Sequence, residues 1–448
     1  FYGAGVNLAA RLQSEAPPGG LMISQDLFRQ LTGDLAGQFQ TAGTFDLKNI
    51  PYPVEGFQWR PRKANVGNED TVPSMKMERF RAAPADAETQ AMADDLREQL
   101  LMNLSSRTGV VTLDGTQAEI GDTTYVLGGG VRRSGDQVRM NVSLTLCDTG
   151  ETLFSRNYQG KAEDFFQFAD EMVTRVNADI RIQINAYDAD RIEHLPDDEL
   201  SVSELRSRAS KNFYKGGYND WQRSKELMDR ALSLSPTDPM SLAMRATAVI
   251  WLAAARYQPL TDDEANGVEN DLHISLSGNP RSDFALHARA MFHIFAEGDA
   301  DAAVRDSNQA LSITPDYAIA LISKARGLAL RGDFPGAVAT LERAIEIAEI
   351  NPLKVMMLFP LAVCHFCNED FMAATEVLEE AIDIKPTIWT LYRLRSLAFE
   401  KAGFHEKAAE CAARAESLPA TPHVATAKVA LPPAFDGLNE QLQPRQFA

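Results

Sequence analysis

The sequence predicts a multidomain chain: an α+β segment at the start, a small α+β domain behind it, and an all-α solenoid of helical repeats. Three observations predict this. The length, 448 residues, exceeds a single ordinary domain of roughly 150 residues. Val138, Met140, Val142, Leu144 and Leu146 alternate with Arg139, Asn141, Ser143 and Thr145, the period-two signature of a strand with one wet face. Toward the end, Pro236, Pro280, Pro315, Pro352, Pro386 and Pro419 recur at intervals of 44, 35, 37, 34 and 33 residues, and recurrence near one period marks stacked repeats.

Residues 1–60 read as helix, strand, helix, strand. Residues 6–12 are good helix formers around Ala9 and Ala10, and Pro17-Pro18-Gly19-Gly20 stops them. Leu21-Met22-Ile23 is a short strand. Ser24 caps a helix carrying Leu27, Phe28 and Leu31, closed by Gly33. Residues 48–59 alternate around Pro51 and Pro53 as an edge strand can. Residues 61–74, with Pro61, Gly67, Asn68 and Pro73, are a linker.

In the block 75–190, Met92, Leu96, Leu100 and Leu104 recur at i+4, one stripe of a helix. Ser134-Gly135-Asp136 and Asp148-Thr149-Gly150 bracket the alternating strand with hairpin chemistry. Phe165, Phe168, Met172, Val173, Val176 and Ile180 form a second helical stripe. A helix, a meander and a helix make a small layered domain.

In the block 200–420 one phrase precedes the prolines: Ala231-Leu232-Ser233-Leu234-Ser235-Pro236, Ala310-Leu311-Ser312-Ile313-Thr314-Pro315, and Ala381-Ile382-Asp383-Ile384-Lys385-Pro386. Seven residues ahead of the alanine stands another small residue: Ser224, Ala303, Ala337, Ala374 or Ala408. Small residues let two helices approach closely, and proline ends the second one. The copy around 262–280 is poor. Residues 421–448 are weakly patterned and read as a flexible tail.

Composition limits the function classes. Apolar residues are 45% and charged residues 24%, ordinary for a globular chain. The balance of 44 Lys+Arg against 62 Asp+Glu gives −18, with a pI near 4.9. That argues against the phosphate-driven binding of nucleic acid, though not against a small acidic ligand in a local pocket. Four scattered cysteines fit a reducing compartment, and the expected location is cytoplasmic. The longest apolar runs, 248–255 and 355–363, fall short of the 18 or so residues of a membrane span.

Two motif groups point further. Tyr2-Gly3-Ala4-Gly5-Val6-Asn7-Leu8-Ala9-Ala10-Arg11-Leu12 is followed by Pro18-Gly19-Gly20-Leu21-Met22-Ile23-Ser24, Leu47-Lys48-Asn49-Ile50 and Pro53-Val54. In that order they resemble the C-terminal third of a class III nucleotidyl cyclase domain. Asn7 and Arg11 lie four apart, on one face of a helix; in isolation such a pair also reads as a solvated face. The resemblance implies that Arg11 stabilises charge developing on the α-phosphate of ATP (or GTP) and that Asn7 orients the ribose. An arginine suits the first role, being planar and permanently charged. Lys48 is either a phosphate contact or a surface lysine. The family's two metal-holding aspartates lie upstream of the motifs found here, and Ala4 replaces the usual Asp or Asn. The chain opens at Phe1 in mid-motif and reads as the C-terminal part of a longer enzyme. That parent would use Mg²⁺ or Mn²⁺ and act as a homodimer through the cyclase domain. Without the metal sites the nucleophile is not activated, so the chain alone is expected to bind no metal and to be inactive.

Tyr125-Val126-Leu127-Gly128-Gly129-Gly130-Val131-Arg132-Arg133-Ser134-Gly135-Asp136, with Asp148-Thr149-Gly150-Glu151-Thr152-Leu153-Phe154, resembles the TolB amino-terminal-like domain. The glycine run leads into a hairpin, not into a helix N-terminus, so it is not a phosphate loop. The proline-marked block resembles the tetratricopeptide repeat, a helix-turn-helix unit of about 34 residues. That resemblance implies a concave surface for a peptide or protein partner. Cys364-His365-Phe366-Cys367 has no second CxxC and falls in a repeat helix, so it reads as packed thiols. The expected function is regulated cyclic-nucleotide synthesis in the parent polypeptide. The alternative is a non-catalytic repeat scaffold carrying a degenerate cyclase remnant.

Overall fold

The computed structural model describes residues 8–9, 11–13, 21–31, 39–45, 47, 50–59, 74–107, 111–114, 124–315, 317–347 and 354–444. The chain divides into two compact units, Phe1–Glu69 and Asp70–Ala448.

In the first unit, residues 8–9 and 11–13 are helical. Strand β1 (Leu21–Ser24) leads into the short helix α1 (Gln25–Phe28), and the Ser24 hydroxyl accepts from the Leu27 N–H as its cap. Strands β2 (Gln40–Phe45) and β3 (Val54–Trp59) complete an antiparallel sheet of order β1-β3-β2. Residues 48–59 therefore do not supply an edge strand. Pro51 and Pro53 fall before β3, which is free to donate on both sides. Leu12, Leu47 and Val54 are buried together, and Phe28 stacks on Phe57 with ring centroids 3.9 Å apart.

The second unit begins with a mixed sheet. Its strands are β4 (Ser74–Met77), β5 (Arg81–Ala83), β6 (Val111–Asp114), β7 (Tyr125–Ser134), β8 (Gln137–Leu146) and β9 (Thr152–Lys161). They run β6-β4-β7-β8-β9, with β5 also paired to β7. The meander β7-β8-β9 is antiparallel, while β4 is parallel to both β6 and β7. The alternation of β8 places Val138, Met140, Val142, Leu144 and Leu146 in the core. Helices α2 (Ala87–Arg107) and α3 (Phe165–Arg191) close that face with Leu96, Leu100, Leu104, Met172, Val176 and Ile180.

The remaining helices come in pairs: α4 (Val202–Lys215) with α5 (Tyr218–Leu234), α6 (Pro239–Ala255) with α7 (Asp262–Gly278), and α8 (Asp283–Phe292) with α9 (Ala300–Ile313). Then follow α10 (Ala318–Leu330) with α11 (Phe334–Ile347), α12 (Lys354–Cys367) with α13 (Phe371–Ile384), and α14 (Trp389–Lys401) with α15 (His405–Ser417). This is a helical-repeat solenoid. Ser224, Ala303, Ala337, Ala374 and Ala408 are all buried, as are Ala231, Ala310, Ala344 and Ala381, so the small residues sit where helices meet. Side chains of Ser201, Asp238, Thr261, Ser282, Asp299 and Asp370 cap the helix starts. The segment 262–280, weak in sequence, supplies a full helix. Its first turn is acidic (Asp262, Asp263, Glu264) and Thr261 and Glu264 form a capping box. Pro360 lies inside α12 without ending it.

The tail is the main departure from expectation. Residues 421–444 are not a loose end: Val424, Ala425, Thr426, Ala427, Val429, Leu431, Leu438 and Leu442 are all buried. His423 bridges to Gly217. A turn at Val424–Thr426 packs on α6 and α12, and a last helix, α16 (Asp436–Leu442), meets α14. Phe435 packs edge-on against Phe334, centroids 5.2 Å apart. The segment is apolar enough to gain from burial, and the first helices of the pairs present an apolar layer to receive it.

Candidate functional site

Of the residues singled out for cyclase chemistry, Arg11 is exposed on its helical turn, beside the buried Leu12. Asn7 and Lys48 lie outside the described residues, as do the linker positions 61–73. An exposed guanidinium can meet a phosphate, but no step can be built around it here. Among the described residues no group of three or more His, Cys, Asp or Glu could hold a metal ion. The divalent cations implied by the resemblance find no donor set in these residues.

Gly128, Gly129 and Gly130 lie within β7, not in a loop. A Cβ on Gly129 would stand 2.7 Å from the Asn141 carbonyl oxygen and 2.9 Å from the Phe80 ring, and one on Gly130 would stand 2.9 Å from the Arg81 carbonyl oxygen. The run exists because β5, β8 and Phe80 crowd the strand. Cys364 and Cys367 are buried on α12, and burial pushes both thiols up to about 12. Neither is a thiolate at neutral pH, which fits thiols packed in the repeat core.

The densest unexplained chemistry lies beneath the C-terminal segment. Elsewhere in the solenoid, arginines on first helices meet carboxylates on second ones. Arg245 of α6 bonds Asp271 of α7 through two nitrogens at 2.8 and 2.6 Å, and Arg289 of α8 does the same with Asp306 of α9 at 2.6 and 2.7 Å. His293 adds its Nε2 to Asp306 at 3.3 Å and its Nδ1 to Glu297 at 2.5 Å. Burial opposes the Asp306 charge, but the hydrogen bonds from His293 and Arg289 hold its carboxyl below the usual range.

Arg326 of α10 differs. It is only 1% exposed, the largest fully buried side chain described. Its Nη1 donates to the Lys428 carbonyl of the C-terminal segment at 2.8 Å. Its Nε and Nη2 find no partner among the described residues, and no carboxylate there pairs with it. The guanidinium stands 4.7 Å from the Trp251 ring centroid and 5.9 Å from that of Phe295. Burial lowers its pKa to about 10, opposed by the Cys364 thiol and the Tyr257 hydroxyl nearby. The buried His287, whose Nδ1 also finds no partner among the described residues, is driven down to about 3 by burial and by the Arg326 charge.

Tyr257 completes the group. Its hydroxyl donates to the Thr426 carbonyl at 3.0 Å. It follows α6 at φ 59°, a left-handed conformation usually left to glycine. The Lys428 N–H donates to the Ala254 carbonyl at 2.9 Å. Three backbone groups of the C-terminal segment, one in the turn Val424–Thr426 and two at Lys428, are thus held by Tyr257, Ala254 and Arg326, with apolar side chains buried on either side. Sequence reasoning missed this site. Its signals were an arginine inside the apolar run of α10 and the pattern Val424-Ala425-Thr426-Ala427-Lys428-Val429-Ala430-Leu431, too small-sided and too isolated to assign alone.

No protein-family model matches the chain. "Putative adenylate cyclase 3" of Rhizobium meliloti (strain 1021) is 26% identical over 276 residues, covering 56% of this chain and 47% of that protein. The chain thus spans about half the length of the curated relative it matches. Among solved structures, MamA is 19% identical with a TM-score of 0.31, covering 35% of this chain and 88% of its own. A protein described as a thermophilic TPR protein in Thermus thermophilus is 16% identical with a TM-score of 0.37, covering 45% of this chain and 100% of its own. A monomeric mutant of IFIT1, solved with Gppp-AAAA, is 14% identical with a TM-score of 0.44, covering 58% and 61%. The solenoid assignment rests on the chain's own helix pairs rather than on these scores. Among the described residues no helix is long and apolar enough to cross a membrane.

Proposed function

We infer that this chain works through its repeats as a partner-binding module, holding a protein segment by its main chain on the layer of first helices. One observation carries the reading: that layer already holds such a segment, with main-chain hydrogen bonds to Ala254, Tyr257 and Arg326. Bonds to main-chain groups give affinity that does not depend on sequence, and side-chain pockets add selectivity. The test uses the full chain carrying Val424→Asp and Val429→Asp. Two buried charges there expel the segment while leaving the helices untouched. A labelled peptide of residues 421–435 should then bind saturably, with circular dichroism confirming the fold. Absence of saturable binding sinks the reading.

A second reading places this module in a class III nucleotidyl cyclase polypeptide, cytoplasmic and dimeric through its catalytic domains, with the TolB-like domain and tetratricopeptide repeats regulating it. The 26% identity to a protein named as an adenylate cyclase and the ordered motifs from Tyr2 to Val54 support it. In that enzyme Arg11 would meet the α-phosphate of ATP, Asn7 the ribose, and Mg²⁺ or Mn²⁺ would be held by residues outside this chain. Within a polypeptide that restores the upstream region, Arg11→Ala should cut cyclic nucleotide formation by orders of magnitude at unchanged melting temperature. Unchanged turnover removes Arg11 from the site.

A further inference from the structure

Resting on the partner-binding reading, we propose that the surface beneath residues 423–431 is a site for a partner segment carrying a carboxylate, with Arg326 as its counter-ion, and that the chain's own C-terminal segment fills the site until such a partner displaces it. The reason is the mismatch at Arg326. The resident segment offers the guanidinium one neutral carbonyl, leaving Nε and Nη2 buried without an acceptor among the described residues. A guanidinium fork fits a carboxylate with two parallel bonds, and charge-assisted bonds are about twice as strong as neutral ones. The neighbouring arginines Arg245 and Arg289 are met in that two-pronged way by aspartates of their own repeats, whereas Arg326 is not. Trp251, Phe295 and His287 wall it in without bringing a negative charge.

The occupancy argument sets the size of the effect. A tethered segment competes at an effective concentration on the order of millimolar. A free partner at micromolar concentration must bind roughly a thousandfold better to displace it. Apolar side chains similar to those already seated cannot supply that difference, but neutralising a buried, unpaired guanidinium can. The rest of the partner's chemistry follows from what the site now holds: small apolar side chains such as Ala425, Ala427 and Val429, on a backbone that leaves a short turn at Val424–Thr426 and runs on through Lys428. Tyr257, at positive φ, bonds only backbone, at the Thr426 carbonyl of the turn, so it reads main chain rather than a sequence.

The test keeps every residue of the chain. A protease site placed at the exposed Thr421 allows the segment to be nicked from the folded protein without loss. Four labelled peptides of residues 421–435 are then exchanged into the nicked protein: the natural sequence, and versions bearing Ala427→Asp, Lys428→Asp or Val429→Asp. The natural peptide should exchange in, and one aspartate peptide should bind at least tenfold more tightly. That advantage should vanish in protein carrying Arg326→Met. Aspartate peptides that all bind no better than the natural one overturn the proposal, as does an advantage that survives Arg326→Met. Failure of every peptide to enter, the natural one included, sinks the partner-binding reading itself. Should nicking unfold the protein, the same three aspartates in the intact chain serve instead. One of them should raise the melting temperature over its asparagine counterpart, and only while Arg326 is present; no such difference overturns the proposal.

Discussion

Replacing Arg326 by methionine should leave the overall stability of the repeat region nearly unchanged while loosening the C-terminal segment. Methionine keeps the length and most of the volume of the side chain, so no large cavity opens. Three terms then decide the outcome. Burial takes the guanidinium pKa down to about 10, which counts roughly 3 kcal/mol against the folded state at neutral pH. Removing the charge returns that amount. The bond from Nη1 to the Lys428 carbonyl is lost, at about 1.5–3 kcal/mol for a charged donor. The contact over Trp251 goes as well, at about 2 kcal/mol when desolvated. The balance lies within about 2 kcal/mol of zero, in line with buried charges whose apolar replacements are often neutral. Urea melts should show a midpoint close to that of the parent at unchanged slope. Hydrogen exchange should show faster exchange at residues 424–428, because the Lys428 carbonyl has lost its donor. A loss well beyond roughly 3 kcal/mol, or unchanged exchange in the segment, would refute the reasoning: Arg326 would then be a net structural strut.

Two further outcomes follow from the same structure. His423 accepts from the Ala425 N–H through Nδ1 and is held down to about 4 by burial and by Lys385, as His287 is held to about 3. Between pH 6.5 and about 4 the unfolded chain takes up protons that the folded chain refuses, so stability should fall as pH drops through that window, by roughly 3 kcal/mol for His423. His423→Gln should flatten this limb in melts taken from about pH 7 to about pH 4; an unchanged limb assigns it to other groups. Gly129→Ala forces a methyl against Asn141 and Phe80 and should lower the stability of the β4–β9 sheet domain by about 1–3 kcal/mol, read in a urea melt. A neutral substitution would return the glycine run to some role other than packing.

Much of the fold was legible because periodicity is a local property. The alternation of β8 and the stripes of α2 and α3 needed only the neighbours along the chain to show which face turns inward. The small residues at 224, 303, 337, 374 and 408 marked helix contacts in the same way, since close approach of two helices demands a missing side chain. Other elements were hidden for the converse reason. Strands β4 and β6 are short and pair in parallel with partners far along the chain, so neither carries a turn or an alternation long enough to notice. Strand β3 looked like an edge because of Pro51 and Pro53, yet the prolines stop just short of it.

The candidate site divides along the same line. Sequence alone determined that Asn7 and Arg11 stand four apart, that Cys364 and Cys367 fall in a repeat helix, and that the net charge is −18. Tertiary structure alone decided what becomes of Arg326 and the C-terminal segment. Whether an arginine is paired depends on which carboxylates surround it in space, and the group that meets Arg326 comes from Lys428, far along the chain. Whether a weakly patterned tail is loose depends on whether an apolar surface elsewhere is left uncovered. Both are properties of the assembled helix layer, and neither is written in any window of the sequence.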